Sequence, residues 1–176
     1  MQDKDFLGYF NQLGPQSSNI ELKQASANIV NTLLAASTTV GKRRASADEE
    51  EEKQLNALKA KYLTGDLGDG MTADLNYALK RLVRGLCSDN HSVKKGYFLA
   101  ASQVLARFKK QIDAMKLLKF VTEETKTSKI MKQPEIHSQT IAKLMCLTAI
   151  VESQLFQISN TQINHDAFNK VANDLL

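Results

Sequence analysis

The stretch LNYALKRLVRGL (residues 75–86), CSDN (87–90) and HSVKKGYFLAASQVLARF (91–108) decides the fold of this chain. In its first part, apolar residues recur at the i, i+3, i+4, i+7, i+8 and i+11 positions of an amphipathic helix. They are Leu75, Ala78, Leu79, Leu82, Val83 and Leu86. The last part is apolar over most of its circumference, which predicts a helix packed on several sides. The polar turn between the two offers an N-cap and makes the helices antiparallel neighbours.

Helical periodicity continues on both sides of this pair, and about eight helices are predicted in total. The remaining ranges are 3–13, 19–36, 48–63, 112–124, 135–158 and 165 to the end of the sequence. Gly14 and Pro15 end the first helix, since both are strong helix-stop signals. Residues 37–54 are predicted to form an exposed charged loop, whose acidic end runs into the helix at 48–63.

Short connections between successive helices favour an all-α fold of stacked helix pairs, a HEAT- or armadillo-like α-solenoid. A compact helical bundle is the rival, because no clean repeat of fixed period is visible in the sequence. We interpret residues 1–176 as a single helical-repeat domain. The sequence stops within an amphipathic pattern, so we expect it to be an N-terminal fragment of a longer protein.

The composition excludes several other classes of protein. The 176 residues include only two Pro and eight Gly, too few turn residues for a β-sandwich or barrel of this size. A hydrophobic content of 43% is too high for a disordered chain, and no apolar run would span a bilayer. With two Cys and no secretory signal, a reducing intracellular compartment is expected, with no membrane contact.

Positive charge is concentrated in the middle of the chain. Residues 76–119 hold 10 basic and 2 acidic residues, a balance of +8, against −3 for residues 1–75 and −1 for 120–176. Such a concentration favours an anionic partner. The candidate nucleic-acid-binding residues are Lys80, Arg81, Arg84, Lys94, Lys95, Arg107, Lys109 and Lys110, extended by Lys116 and Lys119.

Two other interpretations of these basic residues stay open. The face they form is either solvated or binds protein, and Arg81 and Arg84 are also placed to brace neighbouring turns internally. The aromatic residues Tyr97, Phe98 and Phe108 fall on the apolar side of their helix. Stacking on bases is therefore not expected, and contact would be limited to phosphates.

Catalytic and metal-binding patterns are weak. Two-metal nucleotidyl transfer needs carboxylates clustered on a rigid platform, and the acidic run at 48–52 lies in a predicted loop and first helical turn. Cys87 and His91 make at most half of a zinc site. Asp66 and Asp69 lack the ligand spacing of a calcium loop. We therefore predict no catalytic residue, no metal, no cofactor and no small-molecule substrate.

One modification motif stands in the predicted loop. Arg43, Arg44, Ala45 and Ser46 form the R-R-x-S pattern of a basophilic kinase substrate. Kinases bind extended segments, so the exposed position suits phosphorylation of Ser46. A phosphate on Ser46 would add negative charge beside the acidic run at 48–52, and the cations placed to pair with it are those of residues 42–44.

The segment YALKRLVRGL (residues 77–86), followed by a polar turn and the KGYF of residues 95–98, resembles the N-terminal region of the Myb-binding protein 1A family. This family is also called the DNA polymerase V or DNA polymerase phi family. The opening FLGYF (residues 6–10) is similar to the start of the family. Residues 142–156 lie where the family has an R-L-F-G-like motif, with different residues at Lys143, Met145 and Cys146.

The resemblance implies a long nuclear and nucleolar protein of α-helical repeats, acting in ribosomal RNA transcription and ribosome biogenesis. It implies transcription regulators and other nucleolar proteins as partners, and no polymerase activity, despite one family name. We thus expect a non-enzymatic scaffold. The alternatives are a direct RNA- or DNA-binding module using the 76–119 face and, less favoured, a DNA polymerase.

Overall fold

A computed structural model describes residues 3–39, 65–68, 71–159, 162–163 and 165–175. Within these residues the fold is all-α, as predicted, with seven helices and one short antiparallel ribbon. The helices are α1 (Asp3–Asn11), α2 (Asn19–Thr39), α3 (Ala73–Leu86), α4 (His91–Phe108), α5 (Ala114–Glu124), α6 (Gln133–Glu152) and α7 (His165–Leu175), and the ribbon pairs β1 (Gln157–Ser159) with β2 (Gln162–Ile163).

Side-chain caps fix where the central helices begin. The carboxamide oxygen of Asn90 accepts from the amides of the second and third residues of α4, at 2.9 and 3.3 Å. Asp113 caps α5 in the same way, accepting from the amides of Met115 and Lys116 at 2.8 and 3.0 Å. Thr72 caps α3 by accepting from the amide of Leu75. Each cap stabilises its helix by about 1 kcal/mol.

The helices lie in two rows. In the first row α4 packs between α2 and α6, and in the second α3 packs beside α5, which also contacts α7. Neighbours in the first row run parallel: Asn19 and Ser26 of α2 meet Lys95 and Gln103 of α4 in that order along both helices. Lys94 and Ser102 of α4 likewise meet Ser138 and Glu152 of α6 in order. Each four- to eight-residue connection, as from α3 to α4 and from α5 to α6, leads from one row to the other.

The apolar stripe predicted for residues 75–86 is confirmed, since all six of its members are buried. Two glycines let the helices approach closely. A methyl group on Gly85 of α3 would overlap the ring of Tyr97 on α4, and one on Gly96 would lie 2.7 Å from the carbonyl oxygen of Leu13. Both positions therefore require glycine for packing, although glycine lowers helix propensity.

Several predicted boundaries are wrong. The helix predicted over 135–158 ends at Glu152, because Gln154 adopts a positive φ of 55° and the chain turns into β1. Residues 37–39, predicted as loop, continue α2 by one turn. The remainder of the predicted loop, the helix predicted at 48–63 and Ser46 lie outside the residues that the structure describes.

Candidate nucleic-acid interface

Arg84 joins α3 to α5. Its Nε and Nη2 donate to Oε1 of Glu124 at 3.1 and 2.9 Å, and its guanidinium carbon lies 5.7 Å from the centre of the Phe120 ring. The hydrogen bond with Glu124 raises the pKa of Arg84. Because the Arg84 side chain is 46% exposed, this ion pair stabilises the fold by no more than about 1 kcal/mol.

Lys80 is buried, with only 2% of its surface exposed. Its Nζ donates to the carbonyl oxygen of Gly65 and lies 5.8 Å from the centre of the same Phe120 ring. Burial lowers the pKa of this ammonium group, and the nearby Asp66 carboxylate partly offsets that effect. Lys80 therefore ties the 65–68 segment and α5 to α3.

Arg81 points toward the other neighbour of α3. Its guanidinium carbon lies 4.6 Å from the centre of the Phe10 ring on α1, and Nη1 donates to the hydroxyl of Tyr77 at 2.9 Å. A cation held over an aromatic face is attracted by the ring quadrupole. The three cations of α3 thus contact α1, α5 and the 65–68 segment, in agreement with the bracing alternative for Arg81 and Arg84.

The two lysines near the start of α4 differ in their surroundings. Lys94 is 2% exposed, and its Nζ donates to the carbonyl oxygen and the hydroxyl of Ser138 on α6, at 2.8 and 2.9 Å. Burial lowers the pKa of Lys94. Lys95 is exposed and donates to the carboxamide oxygen of Asn19 on α2 at 2.7 Å. Each lysine links α4 to one of its row neighbours.

These positions correct the predicted continuous basic face. Lys80 and Lys94 are buried and hydrogen-bonded to backbone carbonyl oxygens, so a phosphate from solvent does not reach them. The physical reason is that neighbouring elements cover both side chains: the 65–68 segment and the Phe120 ring of α5 lie against Lys80, and α6 lies against Lys94. Helical periodicity shows which side of a helix is polar, and it does not show whether a neighbour covers that side.

The remaining predicted residues stand at the corner where α4 ends and α5 begins. Arg107 and Lys110 are exposed, and Lys109 is half-buried. Lys116 and Lys119 are exposed on the first two turns of α5. We call these five residues the basic corner. Residues 107–119 contain one acidic residue, Asp113, and its side chain is the N-cap of α5.

The aromatic side chains of α4 do not offer a platform for bases. Phe108 is buried, and Tyr97 and Phe98 are half-buried against the core. The ring of Tyr97 lies 6.4 Å from that of Phe10. The basic corner therefore presents charge without an adjacent stacking ring from α4.

Three residues that connect the helices were not predicted from the sequence. Asn76 is buried in α3, where its amide nitrogen donates to Asp66 at 2.9 Å and its oxygen accepts from the amide of Leu67. Phe120 is the ring shared by two cations, and Ser138 is the acceptor for Lys94. A buried Asn within an amphipathic helix was the one available signal, since polar groups at such positions need partners.

The cysteines are packing residues in this structure. Cys146 is buried, and burial raises the pKa of its thiol to about 12. Cys87 is half-buried, and burial raises its pKa as well. Across the described residues, no three His, Cys, Asp or Glu side chains are grouped to hold a metal ion. None of the described helices is both long and apolar enough to cross a membrane.

The fold defines a class of protein built from helices in two rows. The basic residues of the YALKRLVRGL segment hold neighbouring helices together. Residues 77–176, more than half of the chain, match the family model described as DNA polymerase phi, so the chain belongs to this family. The match begins at Tyr77, the first residue of the YALKRLVRGL segment. Family membership indicates a nuclear, DNA-related role. Searches for similar curated proteins and for similar solved structures found no match.

Proposed function

We propose that the chain is a non-enzymatic, nucleolar scaffold of HEAT- or armadillo-like helical repeats that acts in ribosomal RNA transcription and ribosome biogenesis. The observation that carries the proposal is the arrangement of α2, α4 and α6 as a row of parallel helices, with α3 and α5 in a second row. Parallel neighbours within a row and a change of row at each connection are the pattern of stacked helix pairs.

The spacing of the second row supports this proposal. Helices α3, α5 and α7 begin at residues 73, 114 and 165, intervals of about 40 and 50 residues. Repeats of the HEAT and armadillo type have comparable lengths. The proposal is compatible with the lack of a regular period in the sequence, because the connections between successive pairs differ in length and the second contains a ribbon.

The interhelical contacts suit a binding scaffold. Four basic side chains hold neighbouring elements in register: Lys80, Arg81, Arg84 and Lys94. The outer surfaces of both rows would then be the surfaces that partners contact. Stacked repeats present extended surfaces of this kind to proteins and nucleic acids. We propose nucleolar and transcription-related proteins as the partners, and family membership is the support for that choice.

The proposal is tested in cells by depleting the protein and measuring ribosomal RNA precursor synthesis by pulse labelling. Full-length wild-type protein is expected to localise to nucleoli and to restore precursor synthesis. A Gly96→Leu variant, which places a side chain against the backbone of Leu13, is expected to fail, whereas Gly8→Leu at an open position on α1 is expected to restore it. Unchanged precursor synthesis after depletion would contradict the proposal.

Primer extension with the purified chain separates the scaffold from a polymerase. We expect no nucleotide incorporation above a blank reaction. Incorporation that copurifies with the protein, and is lost in a variant carrying alanine at residues 48–52, would establish the enzymatic alternative instead.

A further inference from the structure

We infer that the basic corner, Arg107, Lys109, Lys110, Lys116 and Lys119, binds the phosphate backbone of a nucleic acid. This inference rests on the proposed nuclear scaffold and assigns it a ligand class and a surface. The observation behind it is that the structure divides the ten basic residues of 76–119 into two groups. Lys80, Arg81, Arg84, Lys94 and Lys95 lie against neighbouring helices or the 65–68 segment, and five more cations lie together at the corner between α4 and α5, four of them exposed.

The basic corner differs in charge from a second exposed segment of the same length. Residues 107–119 hold five cations and one acid, a balance of +4, and the acid is the cap of α5. Residues 123–135 have the same length and contain three exposed lysines, Lys126, Lys129 and Lys132. That second segment also contains three glutamates, so its balance is zero. Because of their net positive charge, residues 107–119 are expected to bind phosphates more strongly than residues 123–135.

The geometry of the corner suits a strand of phosphates. A short connection from Lys109 to Asp113 joins the end of α4 to the start of α5, so all five cations lie within a few residues of one turn. Lys116 and Lys119 are separated by a rise of about 4.5 Å along α5. In duplex DNA one strand carries a charge for about every 3.4 Å of the duplex axis, a spacing of the same order.

The expected binding is independent of base sequence. The aromatic rings of α4 are buried or half-buried, so the corner supplies charge and no stacking platform from that helix. Contact through cations alone releases counterions from the nucleic acid, and the logarithm of the affinity then falls linearly with the logarithm of the salt concentration. For duplex DNA the slope is about −0.9 per phosphate neutralised, so five contacts predict a slope of about −4.5.

The test is fluorescence anisotropy with the 176-residue chain, using duplex DNA, duplex RNA and single-stranded RNA of mixed sequence as separate probes. A slope of −4.5 predicts that affinity for duplex DNA falls about 500-fold between 50 and 200 mM salt. The triple variant Lys109→Gln, Lys110→Gln, Lys119→Gln leaves two cations, so its affinity is expected to fall only about 12-fold over that range.

The matched control is Lys126→Gln, Lys129→Gln, Lys132→Gln, which removes the same net charge from exposed lysines of the second segment. We expect it to keep the wild-type slope and an affinity within about twofold of wild type. Far-UV circular dichroism and the urea midpoint check that both variants are folded. Comparison of the three probes identifies DNA or RNA as the favoured ligand.

Equal loss of affinity in the two triple variants would overturn the inference, because net charge and not the corner would then govern binding. Absence of binding to all three probes at 50 mM salt would also overturn it. Binding of poly-glutamate with the affinity of the nucleic acids would assign the corner to an acidic protein instead. None of these outcomes affects precursor synthesis or nucleolar localisation, so they leave the scaffold proposal to its own test.

Discussion

Gly85→Ala tests whether α3 and α4 approach as closely as the structure shows. In an isolated helix this change is stabilising by about 1 kcal/mol, because alanine has the higher helix propensity. In this fold the added methyl group overlaps Cγ, Cδ1 and Cε1 of Tyr97. The Tyr97 ring lies beside Phe10, so displacing it also disturbs the contact between α1 and α4.

The net effect follows from these two opposing contributions. Overpacking of this kind costs about 1–3 kcal/mol, which offsets or exceeds the propensity gain of about 1 kcal/mol, so we expect the free energy of unfolding to fall by up to about 2 kcal/mol. The control is Gly8→Ala on α1, where a methyl group has no neighbour within 4 Å. That variant is expected to be stabilised by up to about 1 kcal/mol.

A double-mutant cycle with Tyr97→Ala isolates the steric contribution. Once the ring is removed, Gly85→Ala is expected to change sign and to stabilise the chain by about 0.5–1 kcal/mol. The measurement is urea unfolding followed by circular dichroism, with the four proteins compared at equal concentration. If Gly85→Ala stabilises the wild-type chain as much as Gly8→Ala does, the close packing of α3 on α4 is refuted.

Three further predictions concern titratable and charged groups. Lys94→Ala removes the donor from two acceptors on α6 and should lower the free energy of unfolding by about 2 kcal/mol. Lys95→Ala at an exposed position should change the free energy of unfolding by less than about 0.5 kcal/mol. Equal effects of the two substitutions in urea unfolding would contradict the burial of Lys94. Folding raises the pKa of Cys146 from its ordinary value of 9.0 to about 12, so its stabilising contribution is complete below pH 9 and is lost as the pH rises toward 12. Between pH 8 and pH 10, wild type should lose about 1.4 kcal/mol relative to Cys146→Ala, and parallel pH profiles would show that the thiol is accessible. A double-mutant cycle of Arg84→Gln and Glu124→Gln should give a coupling below about 1 kcal/mol that decreases in 1 M salt, and a larger, salt-independent value would place the pair in the interior.

The helices around residues 75–108 were predictable because their signals are local. The stripe from Leu75 to Leu86 needs only the period of 3.6, and the cap at Asn90 precedes an apolar helix directly. The end of α6 had no such signal. Gln154 takes the left-handed conformation usually left to glycine or asparagine, and the apolar pattern continues past it into β1.

The sequence locates the basic residues as a group, but it does not show what each of them contacts. Counting charges locates the excess at 76–119, but the acceptor of Lys80 precedes it by 15 residues and the acceptor of Lys94 follows it by 44. Contacts over such distances depend on which helices become neighbours, and periodicity contains no information on that. The apolar surroundings of Lys94 along α4 were nevertheless a local hint of burial.

Distances between spin labels test the arrangement of helices in rows most directly. Labels at the exposed residues Asn31, Ala106 and Glu152 report on α2, α4 and α6 in a chain whose two native cysteines are replaced by alanine. Neighbouring helix axes are about 10 Å apart, so a row with α4 in the middle predicts an Asn31–Glu152 separation about twice that of either neighbouring pair. Three similar distances would indicate a compact bundle and would contradict the row of parallel helices.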